Sequence, residues 1–465
     1  MPPDDAELRL DPQQAAEALD LLTELRLRTA PHTDAARRLH TDLRARFRLK
    51  RPADLLLAWE RALSGAPGDV VLGRALQEWS LAFGVHAAIN LEDLRAARRA
   101  IEGLAQALPA LRPRCGAIFA WSRRARDVTE ALAALVGRSS VMDAARTQTW
   151  RAVFTDDLRK ALALRAPHRL SVLITGEPGT GKEIVARTIA AGRGPLDPDG
   201  AEPGPYVTVN IASLTSALAS SALFGHTRGA FTGATSERAG LFAAASGGVL
   251  FLDEIGDASP EVQVRLLRTL QEGTVRPVGA DHERAVEVRV LAATNRDLAD
   301  AVDFRRDLLE RLSVLRVACP PLRERSDDLP ELVRHFVAAE IDVSAWPTIV
   351  DEVLARLEDE TRDWQWPGNV RELRAATNRV LAGQPALLRR EAGGPPAQGR
   401  GDPVLGALGL GSLEQAKRRY AEAVLRAVRG NKSEAARVLG IDRNTLARYV
   451  RDAASGTTPS TDEAD

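Results

Sequence analysis

Cysteine is almost missing from this chain of 465 residues: Cys115 and Cys319 are the two present, far apart and with no partner at metal-ligand spacing. That speaks against a disulfide framework or a thiolate metal site and leads to the expectation of a reduced, cytoplasmic protein. Net charge is missing too, since 63 Lys and Arg are balanced by 63 Asp and Glu, so any nucleic-acid surface must be local. No apolar run is long. The most apolar window, Leu241 to Leu252, contains two glycines and stops at Asp253, short of the roughly 20 residues a membrane span requires. The opening Met1-Pro2-Pro3-Asp4-Asp5 is acidic and lacks the basic-then-apolar order of a secretion signal. A soluble protein of about three domains, taking roughly 150 residues for each, is the expectation.

What is present begins with Gly176-Glu177-Pro178-Gly179-Thr180-Gly181-Lys182-Glu183. It matches the G-x-x-x-x-G-K pattern, whose glycines let backbone N–H groups converge on phosphate oxygens while the lysine reaches the β- and γ-phosphates. Context supports it: Ser171 to Thr175 reads as a buried strand and Glu183 to Ala190 carries apolar residues at helical spacing. Strand, glycine loop and helix N-terminus together suit an anion. A purely structural glycine turn is the weaker alternative. Glu183 stands where the general pattern has the Ser or Thr that holds Mg²⁺.

Residues 1 to about 130 are rich in Ala, Leu and Arg and predict a helical domain, with helix-like intervals near 12 to 28, 33 to 48, 69 to 83 and 91 to 108. No pattern of paired acids and a strand-end Asp marks a phosphoacceptor domain there. The basic cluster Arg44, Arg46, Arg48, Lys50 and Arg51 reads as a solvated helix face before it reads as a nucleic-acid contact. Trp59, Trp79, Phe83, His86, Phe119 and Trp121 could line a small-molecule pocket, although ordinary core is the readier explanation.

From about 132 to 320 strands and helices alternate, which predicts a parallel sheet with helices on both faces. Gly192 to Pro205 is expected to be a surface loop, followed by a strand over Val207 to Asn210. Val249 to Leu252 forms an apolar strand that delivers Asp253 and Glu254 at its end. After a phosphate loop, the first acid suits Mg²⁺ and the second suits polarising an attacking water. Burying two charges without a role is costly. A further buried strand, Val288 to Thr294, ends at Asn295, which could orient a water near a γ-phosphate or could be a plain turn residue. Asn210 could restrain Glu254 in the same way.

Between the two phosphate motifs runs Leu223-Phe224-Gly225-His226-Thr227-Arg228-Gly229-Ala230-Phe231-Thr232-Gly233-Ala234. Physically this is a glycine-bounded loop with an aromatic ring and a hydroxyl at its tip. Either Phe231 is exposed for a partner, or the segment is a hairpin with the ring tucked into the core.

The stretch Gly229 to Ala234 reads G-A-F-T-G-A, and in it the chain resembles the sigma-54-dependent transcriptional activators, the bacterial enhancer-binding branch of AAA+ ATPases. The likeness runs from about Leu135-Val136-Gly137 to Leu373 and takes in Gly176 to Glu183, Phe251 to Ile255, Leu270 to Gly273 and Ala293 to Leu298. It continues through Phe304 to Leu312, Pro320 to Arg325 and Trp366 to Leu373. Glu after the loop lysine is common in that family. Two departures are Ala222, where an acid often precedes Leu-Phe-Gly, and Ile211 in place of the usual Cys. A third is the segment near 145 to 170, longer than the family leads one to expect.

The resemblance implies ATP held by Gly176, Glu177, Pro178, Gly179, Thr180, Gly181, Lys182 and Glu183, with Mg²⁺ served by Asp253. Glu254 would activate water, with Asn210 as its restraint and Asn295 as a sensor. Arg305 and Arg311 resemble arginine fingers that enter the neighbouring subunit's site, and Arg371 resembles a second sensor acting in cis. Gly229, Ala230, Phe231, Thr232, Gly233 and Ala234 would contact sigma-54. Taken by themselves, the arginines could equally be surface ion pairs.

Near the C-terminal end, Ser412 to Val428 predicts a helix, followed by Asn431 to Gly440 and Ile441 to Val450. Ala435, Ala436 and Leu439 supply a close-packing face, Gly440 ends the first helix of the pair, and Asp442 can cap the second. This is similar to the family's Fis-type helix-turn-helix. Arg443, Asn444, Thr445 and Arg448 sit near the start of its recognition helix. A helical hairpin for dimerisation is the alternative.

The expected organisation is therefore α/β, an AAA+ parallel sheet with helices on both faces plus a helical lid, flanked by an all-α N-terminal domain and a C-terminal helix-turn-helix. The boundaries expected are a helical regulatory domain at 1–130, the ATPase subdomain at 131–320, the lid at 321–388, a linker at 389–411, the DNA-binding domain at 412–452 and a disordered tail at 453–465. The partners expected are sigma-54 and RNA polymerase, enhancer DNA, further copies of the chain from dimer to hexameric ring, and a signal or ligand at the N-terminal domain. A regulator that binds ATP only to control assembly, and an AAA+ remodeller of some other protein, are the rival readings.

Overall fold

The computed structural model describes residues 10–47, 69–90, 94–107, 115–157, 167–192, 204–231, 234–342, 348–387 and 431–439, with the single positions 58, 62, 112, 160, 161 and 164 between them. Met1–Ala386 form one unit and Leu387–Asp465 another. The strands are β1 (Val172–Thr175), β2 (Tyr206–Asn210), β3 (Gly225–His226), β4 (Arg238–Ala239), β5 (Val249–Asp253), β6 (Thr274–Val275), β7 (Arg284–Ala285), β8 (Arg289–Thr294) and β9 (Leu315–Ala318).

Five strands make the central sheet in the order β2-β5-β8-β1-β9. Every pair in it is parallel. Parallel sheets are covered on both faces, and the side chains show it. Val172, Ile174, Val249, Phe251, Leu291 and Ala293 point into one core, while Leu173, Leu250, Leu252, Val290 and Ala292 point into the other. That period of two is the strand pleat. It explains why the strand sequences read as continuous apolar runs. The edge strand β9 carried no distinct signal, because its alternate residues Arg316 and Ala318 are exposed.

The second core is closed by the helices Pro260–Glu272 and Arg306–Leu312. The first of these is fixed locally: Ser259 caps it, Pro260 opens it and Gly273 ends it at φ +71°. Three helices, Leu329–Glu340, Thr348–Thr361 and Asn369–Leu381, follow the sheet and enclose their own core around Phe336, Leu357, Trp366 and Leu373.

The N-terminal part is helical, over Pro12–Thr23, the π-helical Glu24–Arg28, Asp34–Phe47, Asp69–Asn90, Leu94–Ala107 and Cys115–Leu132. Trp79, Phe83, His86 and Trp121 are buried, and Phe119 is partly so. Trp79, Phe83 and Trp121 belong to the hydrophobic core, while Trp59 lies outside the described residues. Arg44 and Arg46 are exposed on their helix, as a solvated face requires; Arg48, Lys50 and Arg51 lie outside the described residues.

One hydrophobic core joins these helices to the sheet. Trp121, Val128 and Leu132 share it with Trp150, Phe154, Val185, Ile189 and Ile174. Trp150 and Phe154 have ring centroids 4.3 Å apart. Thr188 on the helix after the phosphate loop donates to Ala131 O at 3.3 Å. The boundary expected between 130 and 131 therefore falls within the helix Cys115–Leu132, on a seam that is packed.

In the second unit the helix Lys432–Leu439 is described, with Ala435 and Ala436 buried. Arg443, Asn444, Thr445 and Arg448 lie outside the described residues, as do most of the loop expected over Gly192 to Pro205 and the expected linker and tail.

Candidate active site

The ends of β1, β8 and β5 set the site. Parallel register places Thr175 beside Thr294 and Leu252 beside Ala292, so the loop after β1 and the acids after β5 flank the end of β8. Asn295 emerges there, exposed, between the glycine loop and the acids. Binding sites outside the carboxyl ends of parallel strands are the general rule for open α/β sheets.

The loop is shaped by glycines that no other residue replaces without strain. Gly176, Gly179 and Gly181 have φ of +154°, +79° and +104°. A Cβ on Gly179 would lie 2.2 Å from Gly368 O. Lys182 is buried, and its Nζ donates to the carbonyls of Gly176 at 2.8 Å and Glu177 at 3.2 Å. Its ammonium thus lies across the loop that phosphates would enter. Thr180 Oγ1 donates to Glu177 O at 2.8 Å. Glu183 turns away: its carboxylate pairs with Arg187 one helical turn on, at 2.8 Å. The residue that replaces the hydroxyl of the general pattern is thus engaged on the helix surface.

At the end of β5, Asp253 accepts from Asn210 Nδ2 at 3.4 Å and from the Glu254 amide at 3.0 Å. Asn210 thus faces Asp253 across the paired strands rather than Glu254, and its Oδ1 caps Ser213 N at 3.2 Å. Glu254 occupies the left-handed region at φ +50°, ψ +49°. A non-glycine residue there is uncommon and costs about 1 kcal/mol or more. The turn breaks the alternation of the strand, which would otherwise send consecutive carboxylates to opposite faces.

The lid closes on this loop through residues that motif reading did not single out. Glu177 pairs with Arg323 at 2.7 Å and accepts from Asn369 Nδ2 at 3.1 Å. The Arg323 contact, then Asn369, holds the Glu177 carboxyl below its ordinary range. Asn369 also donates to Pro178 O at 3.1 Å, and the Arg371 amide donates to Gly179 O at 3.4 Å. Arg371 is exposed at the first turn of its helix, directly beside the loop. Arg325 is buried, donating to Thr180 O at 3.4 Å, and burial lowers its pKa. Asp328 takes the amides of Arg138 at 2.6 Å and Ser139 at 2.8 Å, fixing the segment beyond Gly137. Arg323 and Arg325 lie in Pro320 to Arg325 and Asn369 in Trp366 to Leu373, motifs visible in the sequence without any sign of which residue reaches the loop.

Arg305 and Arg311 sit apart from this loop. Arg305 immediately precedes its helix without capping it and folds onto Asp307 at 3.0 and 2.7 Å, a contact that raises its pKa. The Arg311 carbonyl accepts from Ser171 Oγ, at the start of β1, whereas the loop follows the end of that strand. A strand of four residues spans about 13 Å, so Arg311 lies at the wrong end of the sheet for its own site.

Two small hairpins stand outside the central sheet. β3 pairs with β4, β6 pairs with β7, and His226 bridges to Val278. Gly229 N donates to Ala234 O at 2.9 Å, closing the loop between them. Ala230 lies beside Gly279 of the second hairpin. Phe231 is 43% exposed and stands edge-on to His226 at 5.0 Å, so the ring is not tucked into the core. Thr232 and Gly233 lie outside the described residues.

No helix among the described residues is long and apolar enough to cross a membrane.

A parallel sheet with a glycine phosphate loop, strand-end acids and a helical lid defines a P-loop nucleotide-binding protein of the AAA+ class. The comparisons agree and go further. The sigma-54 interaction domain matches residues 151–318, the AAA+ ATPase lid domain 323–386, and the Fis family of bacterial regulatory proteins 412–449. The chain is 44% identical over 296 residues to the transcriptional regulatory protein ZraR of Klebsiella oxytoca, covering 61% of this chain and 64% of that one. It therefore spans a little under two thirds of that relative. It is 37% identical over 354 residues to the DNA-binding transcriptional regulator NtrC of Bradyrhizobium sp. (strain RP501 Parasponia), covering 68% of this chain and 69% of NtrC. Among solved structures, NtrX from Brucella abortus aligns at a TM-score of 0.44 and 28% identity over 77% of this chain and 75% of that one. The chain belongs to the sigma-54-dependent transcriptional activators, with a Fis-type helix-turn-helix at its C-terminal end.

Proposed function

We propose that the protein is an ATPase that binds enhancer DNA, assembles as a ring and converts closed complexes of sigma-54 RNA polymerase to open ones. The observation that carries this reading is the convergence of Lys182, Asp253, Glu254 and Asn295 at one end of the sheet, beneath a lid anchored on the same loop.

Lys182 exchanges its two loop carbonyls for the β- and γ-phosphate oxygens. Asp253 is the residue that would hold Mg²⁺, and one or two carboxylates suffice for an ion that takes its other ligands from phosphates and water. The ion supplies neutralisation of phosphate charge. Asn210 orients Asp253 by its hydrogen bond. Glu254 takes a proton from water as its oxygen bonds to the γ-phosphorus, and the bond to the β-phosphate oxygen breaks to leave ADP and phosphate. Asn295 positions that water, and Arg371 contacts the nucleotide from the lid.

Arg305 and Arg311 act on the neighbouring subunit's nucleotide, where trans arginines are worth about 10³ to 10⁵ in rate. Arg305 would exchange Asp307 for the phosphate. Turnover then moves Phe231 and Thr232 in the loop Gly229 to Ala234 against sigma-54. Arg443, Asn444, Thr445 and Arg448 read the enhancer.

The test is ATPase rate per subunit against protein concentration. A rate that climbs steeply as subunits assemble is expected. A rate that stays negligible at assembled concentrations would leave a regulator that uses ATP only to control assembly.

A further inference from the structure

Arg26 stands in the π-helical segment Glu24–Arg28 that continues the first helix. Such turns are rare and concentrate at functional sites. The guanidinium reaches His86 on the helix Asp69–Asn90, donating from Nε at 3.3 Å and from Nη2 at 3.1 Å to Nδ1. Arginine can only donate. Nδ1 must therefore be the bare acceptor, which places the proton of a neutral ring on Nε2. His86 is 5% exposed and among the described residues its Nε2 has no partner.

Burial first, then Arg26, holds the His86 imidazole well below its ordinary pKa, so the ring is neutral and Nε2–H is a donor without an acceptor. The imidazole of His40, on the helix Asp34–Phe47, is likewise lowered, by burial and then by Arg26. Arg26 itself is drawn down to about 10 by burial, and among the described residues no carboxylate pairs with it. Arg26 is partly exposed, and a cation drawn partly out of water without a counter-charge is less stable than one that is paired. Among the described residues, Arg26 and His86 together lack an acceptor that carries negative charge.

We propose that Arg26 and His86 form a binding site for the carboxylate of a small organic acid. One permanent positive charge with a planar donor fork matches a carboxylate, whereas a doubly charged phosphate would remain half neutralised. The place suits an input. Two residues beyond Arg26, Arg28 pairs with Glu78 and, at 3.3 Å, with Asp157, which follows the helix Ser140–Phe154 of the ATPase side. A carboxylate that draws Arg26 away from His86 pulls on the segment that makes this contact.

The site can be tested in the full chain without nucleotide, so the outcome does not depend on ATPase activity. Melting temperature would be measured with sodium acetate, benzoate or succinate against sodium chloride at matched ionic strength, and separately with inorganic phosphate. At least one carboxylate is expected to raise it by about 2 °C or more at saturation. Arg26→Gln should abolish the shift whatever its own unliganded melting temperature; the exposed control Arg98→Gln should keep the shift. The imidazole Nε2–H signal of His86 in ¹⁵N-histidine protein should move saturably with acetate, a readout that needs no variant. A shift given by phosphate alone, an equal shift in Arg26→Gln, or no carboxylate effect on either readout would overturn the proposal.

Discussion

The side-chain amide of Asn369 joins the lid to the phosphate loop, donating from Nδ2 to Glu177 Oε2 at 3.1 Å while its Oδ1 accepts from Leu322 N at 2.7 Å. Asn369 is fully buried and sits at φ +52°. Asparagine is one of the few residues that tolerates this backbone region. The lid is therefore not merely near the nucleotide loop; it is hydrogen-bonded to the residues that shape it.

Asn369→Ala should destabilise the protein by about 2–4 kcal/mol, since it strands buried partners and places a Cβ residue at positive φ without compensation. Asn369→Gly, which removes the backbone strain alone, should recover about 1 kcal/mol of that. Denaturant melts of the two variants check both the loss and the partial recovery. ATP affinity should fall in both.

Gly179→Ala should abolish nucleotide binding while Gly383→Ala, also at positive φ but with open space around it, should not. A Cβ at Gly179 collides with backbone of Gly368, which cannot swing aside as a side chain can. Fluorescent ATP-analogue titration separates the two.

Arg311→Ala and Glu254→Gln should each lower ATPase activity by about 10² or more. Mixed in equal amounts they should regain part of the wild-type rate, because some junctions then combine an intact Glu254 with an intact Arg311 from the next subunit. Additive, unrecovered rates in the mixture would mean that Arg311 does not act in trans.

Cys319 should resist alkylation in the folded protein at pH 8 and react on unfolding. It is buried against Gly176, and burial pushes its thiol up to about 11. The folded thiol keeps its proton above the unfolded value near 8.5. Its contribution to stability is complete below that pH and is lost as pH rises toward 11. Stability melts at pH 8 and pH 10.5 should show the decline, and Cys319→Ser should reduce it.

The apolar strand runs, the glycine loop and the paired acids could be read from the sequence because each is a local pattern with one dominant physical cause. Strand residues buried on both faces must be apolar, and a phosphate loop must be glycine-rich. The contacts between distant segments could not be read in this way. Nothing in the spacing tells that Glu177 meets Arg323 and Asn369, or that Asn210 turns to Asp253, because these depend on how the lid and neighbouring strands pack. The seam at 130 was hidden for a similar reason. The apolar stripe of Cys115–Leu132 reads as core without saying whose core, and it proves to be shared with Val185 and Ile189 behind the phosphate loop.

Coupling between ATP turnover and the loop bearing Phe231 is the central claim, and Thr232→Ala tests it most directly. Open-complex formation on a sigma-54 promoter would be measured beside ATPase rate and enhancer binding. The account predicts that hydrolysis and DNA binding persist while open complexes are lost. Open complexes at the wild-type level with Thr232→Ala would contradict it.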